Sequence, residues 1–403
     1  MAVPRVFDIV VAGGGIAGSC FAGIMARAGF GVLLVEREAR YRDRVRGEAT
    51  WPWGVAEARR CGLMDVYERA GSIEIVGVGQ YEDRQRVSDY RWAEDSIDQL
   101  PEIGFGHTRM QEAAFAWATE HGATPLRPAK VERIQFEPKP RVTIQHDGAE
   151  IDVRTRLVVG ADGKHSGLRR YTGGETHTDV ETSRFGGVLL TGVEWETYTD
   201  DFESYPGRTV NWFPISPQHT RLYLRMPAEQ LLASGVTHSF DTLIELASTG
   251  TPERWLEGAT QAGPIAFFPN ADVWTTRVSG DAITLIGDAA GSVDPCQGHG
   301  TSLLMRDIRE LSEALLAEAD WQQAIDGYAE RRNAYYDVLH AYDLWGTSIS
   351  HTTGPEGERF RARYERAKAA DPALGGWNLI EARGPDGLVP DEAARRHYFG
   401  EDL

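Results

Sequence analysis

A chain of 403 residues with 41% hydrophobic side chains is long enough to form two or more domains with large cores. Its formal net charge of −18 argues against nucleic acids and acidic membrane surfaces as partners. No apolar run reaches the length of a membrane span, and the N-terminus leads directly into a predicted strand. We therefore expect a cytoplasmic protein without a membrane span or a signal peptide.

The first predicted elements form a dinucleotide-binding β-α-β unit. Ile9–Ala12 is a short apolar strand that enters a G-x-G-x-x-G turn at residues 13–18. Apolar residues then recur at helical spacing until Gly29, and Val32–Val35 gives a second strand before Glu36. The glycines let backbone N–H groups approach a pyrophosphate, and an acid about twenty residues later can accept from a ribose hydroxyl. This unit predicts that the chain binds a dinucleotide.

Two later segments each combine an apolar strand with an acidic glycine turn. The first strand runs into Asp162-Gly163, and the second runs into Gly287-Asp288 and further small residues. Either segment alone is equally typical of an ordinary strand end with an aspartate cap. In this order and at this distance from the first motif, however, the three segments resemble the fingerprints of group A flavoprotein monooxygenases, the para-hydroxybenzoate hydroxylase-like family. The resemblance covers about residues 5 to 320.

The resemblance implies an α/β fold with a discontinuous Rossmann-like FAD-binding domain at 1–72, 105–184 and 276–330. A substrate-binding domain with a mixed or antiparallel sheet is expected at 73–104 and 185–275, where runs such as 188–195, 209–213 and 221–226 favour strands. A C-terminal helical extension is expected at 331–403. Residues 351–403 are rich in charge, glycine and proline, which predicts loose packing over the pocket or over a partner subunit.

The family pattern can be carried over to individual positions. It implies that Glu36 contacts the adenosine ribose, Arg46 the pyrophosphate and Asp288 the ribityl chain. Asp162-Gly163 is similar to a turn used for FAD and for transient NAD(P)H contact. The full set of expected cofactor-binding residues is Gly13, Gly15, Ile16, Ala17, Gly18, Glu36, Arg37, Arg46, Arg109, Asp162, Gly163, Gly287, Asp288, Pro295, Gly298, His299, Gly300 and Thr301.

The loop before the helix at Gly300 resembles the family's loop against the isoalloxazine ring, with departures. Many relatives carry histidine where this chain has Gly291, and their Gly-Gln-Gly-Leu-Asn appears here as 297–302, Gln-Gly-His-Gly-Thr-Ser. The positive end of the following helix can stabilise a reduced flavin by roughly 0.3–2 kcal/mol. His299 is the candidate catalytic residue, as a proton donor or acceptor. The alternative is a loop histidine bonded to the backbone.

Aromatic residues predict the walls of a pocket for a flat, apolar substrate. The candidate substrate contacts are Trp51, Trp53, Trp212 and Phe267. Packing within the core explains the same residues nearly as well. The histidines form no cluster in the sequence and the three cysteines have no metal spacing, so no metal site is predicted.

The reaction expected from one dinucleotide site and a separate sheet is that of a single-component flavin monooxygenase. NAD(P)H would reduce the FAD transiently, and O2 would form a C4a-hydroperoxyflavin that hydroxylates or epoxidises a hydrophobic small molecule, an aromatic one being favoured. Secondary metabolism is one setting for such chemistry. A cyclase or isomerase with structural FAD is the alternative from another class. Flavin halogenases rank third, because they need an early lysine and Lys130 is the first lysine here. The sequence leaves the oligomeric state open.

Overall fold

The computed structural model describes residues 5–95, 99–194, 199–205, 207–248, 252–374 and 379–402. The strands in chain order are β1 Ile9–Ala12, β2 Val32–Val35, β3 Ala49–Thr50, β4 Ile73–Ile75, β5 Gly77–Glu82, β6 Gln85–Arg91, β7 Glu102–Gly104, β8 Thr124–Leu126, β9 Ala129–Gln135, β10 Arg141–His146, β11 Ala149–Arg154, β12 Leu157–Gly160, β13 Thr176–Thr178, β14 Ser183–Thr191, β15 Thr199–Tyr205, β16 Arg208–Ser216, β17 His219–Pro227, β18 Thr260–Gln261, β19 Ala266–Pro269, β20 Val273–Thr275, β21 Ser279–Gly280, β22 Ile283–Leu285 and β23 Gly291–Ser292.

The α-helices alternate with these strands and then dominate the C-terminal part of the chain. They are α1 Ile16–Arg27, α2 Pro52–Arg60, α3 Met64–Arg69, α4 Trp92–Asp95, α5 His107–Glu120, α6 Ala228–Ser234, α7 Phe240–Ala247, α8 Glu253–Glu257, α9 Gly300–Ala317, α10 Trp321–His351, α11 Gly354–Ala370, α12 Ile380–Arg383 and α13 Glu392–Tyr398. Within the described ranges, no helix is both long enough and apolar enough to cross a membrane.

The dinucleotide domain is built on a six-stranded sheet in the order β21-β22-β12-β1-β2-β8. Val10 pairs with Val158 on one side and with Leu33 on the other, both in parallel register. The strands β1, β2 and β12 are fully buried and continuously apolar, as expected of a parallel sheet covered on both faces. Helix α1 packs on α5, where Gly23 leaves room for the ring of Trp117. The predicted discontinuous Rossmann-like domain is confirmed.

A second, eight-stranded sheet lies over the first domain, and we call it the roof sheet. Its order is β18-β14-β17-β16-β15-β5-β6, with β19 paired to β14, and nearly all of its pairs are antiparallel. Tyr223 on β17 pairs with Asn211 on β16 and with Gly187 on β14. The predicted mixed or antiparallel substrate sheet is thus confirmed. Its first predicted strand extended to Trp195, which lies outside the described residues.

The C-terminal helices are packed more firmly than the composition suggests. A core formed with Trp51, which precedes α2, and Trp53 of α2 includes Leu339 on α10 and Tyr398 and Phe399 near residue 400. Helix α10 runs without interruption from Trp321 to His351, so the predicted domain boundary at 330/331 falls inside one helix. Composition does not reveal this packing, because the apolar residues that form the core are separated in the sequence by charged and glycine-rich stretches.

Candidate active site

A large cavity of about 700 Å³ lies between the carboxyl ends of the parallel strands and the roof sheet. This edge of a doubly wound sheet is where such folds bind their ligands, and the volume falls in the range of small-molecule sites. Most of the predicted positions meet in its walls. They are Gly13, Gly15, Ile16, Ala17, Glu36, Arg37, Arg46, Trp51, Asp162, Gly163, Gly287, Asp288, Pro295, Gly298, Gly300 and Thr301.

The glycine turn before α1 brings backbone against backbone where a dinucleotide phosphate would lie. A Cβ atom on Gly13 would meet the Ala161 carbonyl oxygen at 2.2 Å, and one on Gly18 would meet the Gly13 carbonyl oxygen at 1.9 Å. Helix α1 begins after Gly15, which has no side chain to cap the first amides, so these N–H groups are available to a ligand. The turn therefore fits the pyrophosphate of FAD.

Glu36 is held in place at the end of the cavity expected to take the adenosine. Its side chain is buried and accepts hydrogen bonds from the backbone N–H groups of Gly14 and Glu38, each at 2.7 Å. The Tyr41 hydroxyl donates to the Gly14 carbonyl, and the Arg127 guanidinium lies 4.1 Å from the centre of the Tyr41 ring. Tyr41 also lines the cavity, and no motif in the sequence pointed to it.

One arginine ties the two later motifs together. The Arg169 guanidinium donates to the carbonyl oxygens of Lys164 at 2.9 Å, Asp288 at 2.7 Å and Ala289 at 2.8 Å. These carbonyls follow Asp162-Gly163 and Gly287-Asp288, so Arg169 fixes both acidic turns relative to each other. All three hydrogen bonds are to backbone atoms that the fold brings together. The role of Arg169 was therefore not predicted from the sequence.

The N-terminus of α9 gives the cavity a second set of uncapped amides. The N-cap residue His299 makes no side-chain hydrogen bond to the first turn, and Gly300 and Thr301 line the cavity. Gly298 has φ +72°, and a Cβ there would lie 2.7 Å from the Trp51 indole nitrogen, which donates to the Gln297 carbonyl at 3.0 Å. Glycine is therefore needed at this position both for its backbone conformation and for its size.

On the roof sheet, the side chains that line the cavity belong to the sequence neighbours of the residues that were predicted to do so. Asn211 and Phe213 face the cavity, whereas Trp212 points into the outer core against Trp255. In the same way Phe268 lines the cavity and Phe267 does not. Successive side chains on a strand point to opposite faces, so an error of one residue reverses the assignment. Trp212 and Phe267 were wrong as cavity residues, and their neighbours take that place.

A buried ionic network holds the centre of the roof against the dinucleotide domain. The Arg221 guanidinium donates to both Glu48 oxygens, at 2.6 and 2.7 Å, and the Tyr223 hydroxyl donates to Glu48 at 2.9 Å. Burial and the Glu48 carboxylate hold the pKa of Tyr223 well above its ordinary value, so the phenol stays protonated. Glu48 and Tyr223 both line the cavity. Their hydrogen bonds to each other make this part of the wall rigid.

Six predicted site residues lie outside the cavity walls that the described residues form. Besides Trp212 and Phe267 they are Gly18, which packs against the Gly13 carbonyl, and His299, Trp53 and Arg109. His299 is 0% exposed and faces Asp343, with 3.5 Å between Nε2 and Oδ1, while burial lowers the pKa of its imidazole to about 3. Trp53 is buried beside it with the two ring centres 6.2 Å apart. Arg109 lines a separate surface groove with Arg69. The structure therefore gives His299 no path to a reacting atom and leaves Arg109 away from the cofactor region.

An aspartate and a lysine side chain also line the cavity. Asp288 lines the cavity next to Gly287, whose backbone N–H donates to Asp307 at 2.7 Å. Lys164 also lines the cavity, and its ammonium donates to the Ala271 carbonyl at 2.6 Å. Desolvation by burial lowers the pKa of Lys164. Lys164 follows the acidic turn Asp162-Gly163 directly, which is the one sequence signal that could have identified it.

Comparison with known proteins agrees with this geometry. Residues 6–339 match the family model described as FAD binding domain, and the chain belongs to that family. Squalene epoxidase 3 of Arabidopsis thaliana is 23% identical over 80% of this chain, and the match spans 63% of its own length. Menaquinone reductase of Mycolicibacterium smegmatis is 26% identical, with 85% of this chain and 82% of the reductase covered.

Solved structures show the same fold. PqsL of P. aeruginosa in complex with 2-aminobenzoylacetate has a TM-score of 0.72 at 21% identity, covering 86% of this chain and 96% of PqsL. The myxobacterial chondrochloren halogenase CndH has a TM-score of 0.75 at 19% identity, covering 98% of both chains. The predicted cofactor, FAD, and the predicted class, an FAD-dependent oxidoreductase, are confirmed.

Proposed function

We propose that the chain is a single-component monooxygenase that uses NAD(P)H and O2 to hydroxylate or epoxidise a hydrophobic, preferentially aromatic small molecule. When it is bound, FAD would supply the redox chemistry, namely the capacity to accept hydride from NAD(P)H and to activate O2. The observation that carries the proposal is the continuity of one cavity, which joins a phosphate-binding glycine turn and a second uncapped helix end to an aromatic roof.

The glycine turn and Glu36 would bind the two halves of the dinucleotide, and Arg46 supports the cofactor with positive charge in the same wall. The Arg46 guanidinium lies 6.0 Å from the centre of the Phe268 ring, where the dinucleotide wall meets the roof. The amides of Gly300 and Thr301 would stabilise negative charge on the reduced cofactor. These residues bind and orient, and none of them has to exchange a proton.

The substrate would lie between the cofactor and the roof. Phe213 and Phe268 supply apolar surface, and Asn211 supplies one polar group that can orient a substrate oxygen or nitrogen. The hydrogen bonds among Glu48, Arg221 and Tyr223 keep this wall from relaxing when the cavity is empty. A rigid, mostly apolar roof excludes water from the reacting centre, as oxygen transfer requires.

The decisive experiment detects oxygen incorporation across a panel of candidate substrates. Purified holoenzyme is incubated with NADH or NADPH, a range of aromatic and isoprenoid compounds and ¹⁸O2, and products are identified by mass spectrometry. We expect at least one product that carries a single ¹⁸O atom, formed only with both NAD(P)H and oxygen. A product that forms equally without NAD(P)H and without oxygen would contradict the proposal and favour structural FAD.

Two related reactions can be separated in the same assay. The menaquinone reductase relative motivates an anaerobic arm, in which a product two hydrogens heavier than its substrate would indicate reduction rather than oxygenation. The halogenase neighbour motivates an arm with chloride or bromide. The chain has no lysine before Lys130, but Lys164 lines the cavity, so a halogenated product that disappears in Lys164→Met would overturn our preference for oxygen transfer.

A further inference from the structure

Three side chains far apart in the sequence converge beside the cavity, at a place with no counterpart in the sequence motifs. Asp179 follows β13, Asp272 precedes β20, and His340 lies on α10. The imidazole Nε2 of His340 is 2.8 Å from Asp179 Oδ2 and 3.8 Å from Asp272 Oδ2. One ligand atom of each residue lies within 4.8 Å of the other two.

The inner carboxyl group of this cluster is incompletely paired. Asp272 is only 4% exposed, and its Oδ1 atom has no hydrogen-bond partner among the described residues. The ammonium of Lys164 donates to the carbonyl of the preceding residue, Ala271, and not to the carboxylate. A buried carboxylate oxygen without a partner is costly, so the arrangement calls for a positive ligand.

The imidazole is held in the orientation that a ligand would need. The His340 ring lies 4.5 Å from the ring of Trp274 and is stacked on Tyr336 at 5.7 Å between centres. The backbone N–H of Asp179 donates to the carbonyl of Asp272 at 3.0 Å, which fixes the two loops that carry the carboxylates. The three donors are therefore positioned by their surroundings and do not depend on a metal ion to bring them together.

We propose that Asp179, Asp272 and His340 form a binding site for one divalent first-row transition-metal ion, with water completing its coordination. Two carboxylate oxygens and one imidazole nitrogen are donors that Zn²⁺ and its neighbours accept. Metal–ligand bonds of about 2.0–2.2 Å place ligand atoms roughly 3–3.6 Å apart, which the two distances to His340 bracket. The ion would crosslink α10 to the loops beside β13 and β20 and steady the Ala271 carbonyl that anchors Lys164.

The test uses FAD-loaded protein that has been treated with EDTA, freed of chelator and equilibrated with Zn²⁺. Elemental analysis after dialysis is expected to find one zinc per chain, and zinc is expected to raise the melting temperature. Asp272→Asn and His340→Ala are each expected to weaken zinc binding at least tenfold and to remove the metal-dependent shift in melting temperature. Asp179→Asn, at the more exposed side of the site, provides a third variant in case the buried substitution impairs folding.

The matched control is the surface pair of His397 and Asp371, which has the same type of contact at 2.9 Å but no third ligand among the described residues. His397→Ala and Asp371→Asn are expected to leave zinc binding unchanged. Wild-type protein that binds no zinc, or zinc binding that survives both His340→Ala and Asp179→Asn, would overturn the proposal. Flavin content is measured in every sample, so the result does not depend on the reaction that the enzyme catalyses.

Discussion

The two walls of the cavity are built from different parts of the polypeptide. The dinucleotide wall is largely backbone, formed by glycine turns and the first amides of α1 and α9. The roof is made of side chains, chiefly Asn211, Phe213, Tyr223 and Phe268. In the backbone wall, glycines such as Gly13 and Gly298 tolerate no side chain, because a Cβ there would collide with neighbouring atoms, whereas a side-chain wall can change with the substrate. The comparison explains why the cofactor is evident from the sequence and the substrate is not.

The largest effect is expected from adding one methyl group to the backbone wall. Gly18→Ala places a Cβ 1.9 Å from the Gly13 carbonyl, and relieving such overpacking costs about 3 kcal/mol, roughly a 100-fold loss of FAD affinity. Gly167→Ala is the control, because Gly167 lines the cavity and a Cβ there meets nothing within 4 Å. Bound flavin is measured by absorbance after gel filtration. Equal flavin content in the two variants would refute the idea of a steric cradle.

A smaller effect is expected in the roof. Phe213→Ala removes apolar surface from the substrate side and should lower kcat/KM for a hydrophobic substrate roughly tenfold, while FAD content stays at the wild-type level. Trp212→Phe changes the adjacent residue on the opposite face of the strand and should leave KM unchanged. Steady-state kinetics and flavin content are measured for both. If Phe213→Ala instead lost FAD, the hypothesis that the roof contacts the substrate and the backbone wall holds the cofactor would be wrong.

The smallest effect is expected at His299. Its pKa of about 3 keeps the imidazole neutral above pH 5, and burial also raises the pKa of the facing Asp343 carboxyl well above its ordinary value. His299→Gln should therefore leave the pH profile of turnover between pH 5 and 8 unchanged. A turnover pKa near 6.5 that disappears in this variant would restore His299 as a proton-transfer residue.

Protein stability gives a second measure of the same histidine. The folded-state pKa lies below the ordinary value of 6.5, so burial of the neutral ring stabilises the fold fully above that pH. This contribution is lost as the pH falls from about 6.5 toward 3, because the unfolded chain then binds a proton that the folded chain does not. His299→Gln should lose less stability over that interval.

Much of the site could be predicted because the glycine turns and strand ends act locally. Gly13, Glu36 and Asp288 follow directly from motifs of a few residues, and all three line the cavity. The roof could not be assigned in the same way, since Trp212 and Phe213 differ only in which face of a strand they occupy. The contacts of Arg169 with the second acidic turn and the metal-site proposal depend on residues that are 68 to 161 positions apart, which a pattern in one sequence does not reveal.

Helix α10 has a mechanical consequence for the enzyme. Its 31 residues span about 46 Å. One end is hydrogen-bonded to the dinucleotide domain and the other end to the roof. Near the start, Gln322 bonds the backbone of Ala282 and Gly280 in the dinucleotide sheet, and near the end the Ser350 carbonyl accepts from Gly207, which precedes β16 of the roof. Helix α10 thus connects the dinucleotide sheet to the roof sheet, which form the two halves of the cavity. Any movement of the roof sheet relative to the dinucleotide sheet would therefore have to tilt or bend α10 or break one of these hydrogen bonds.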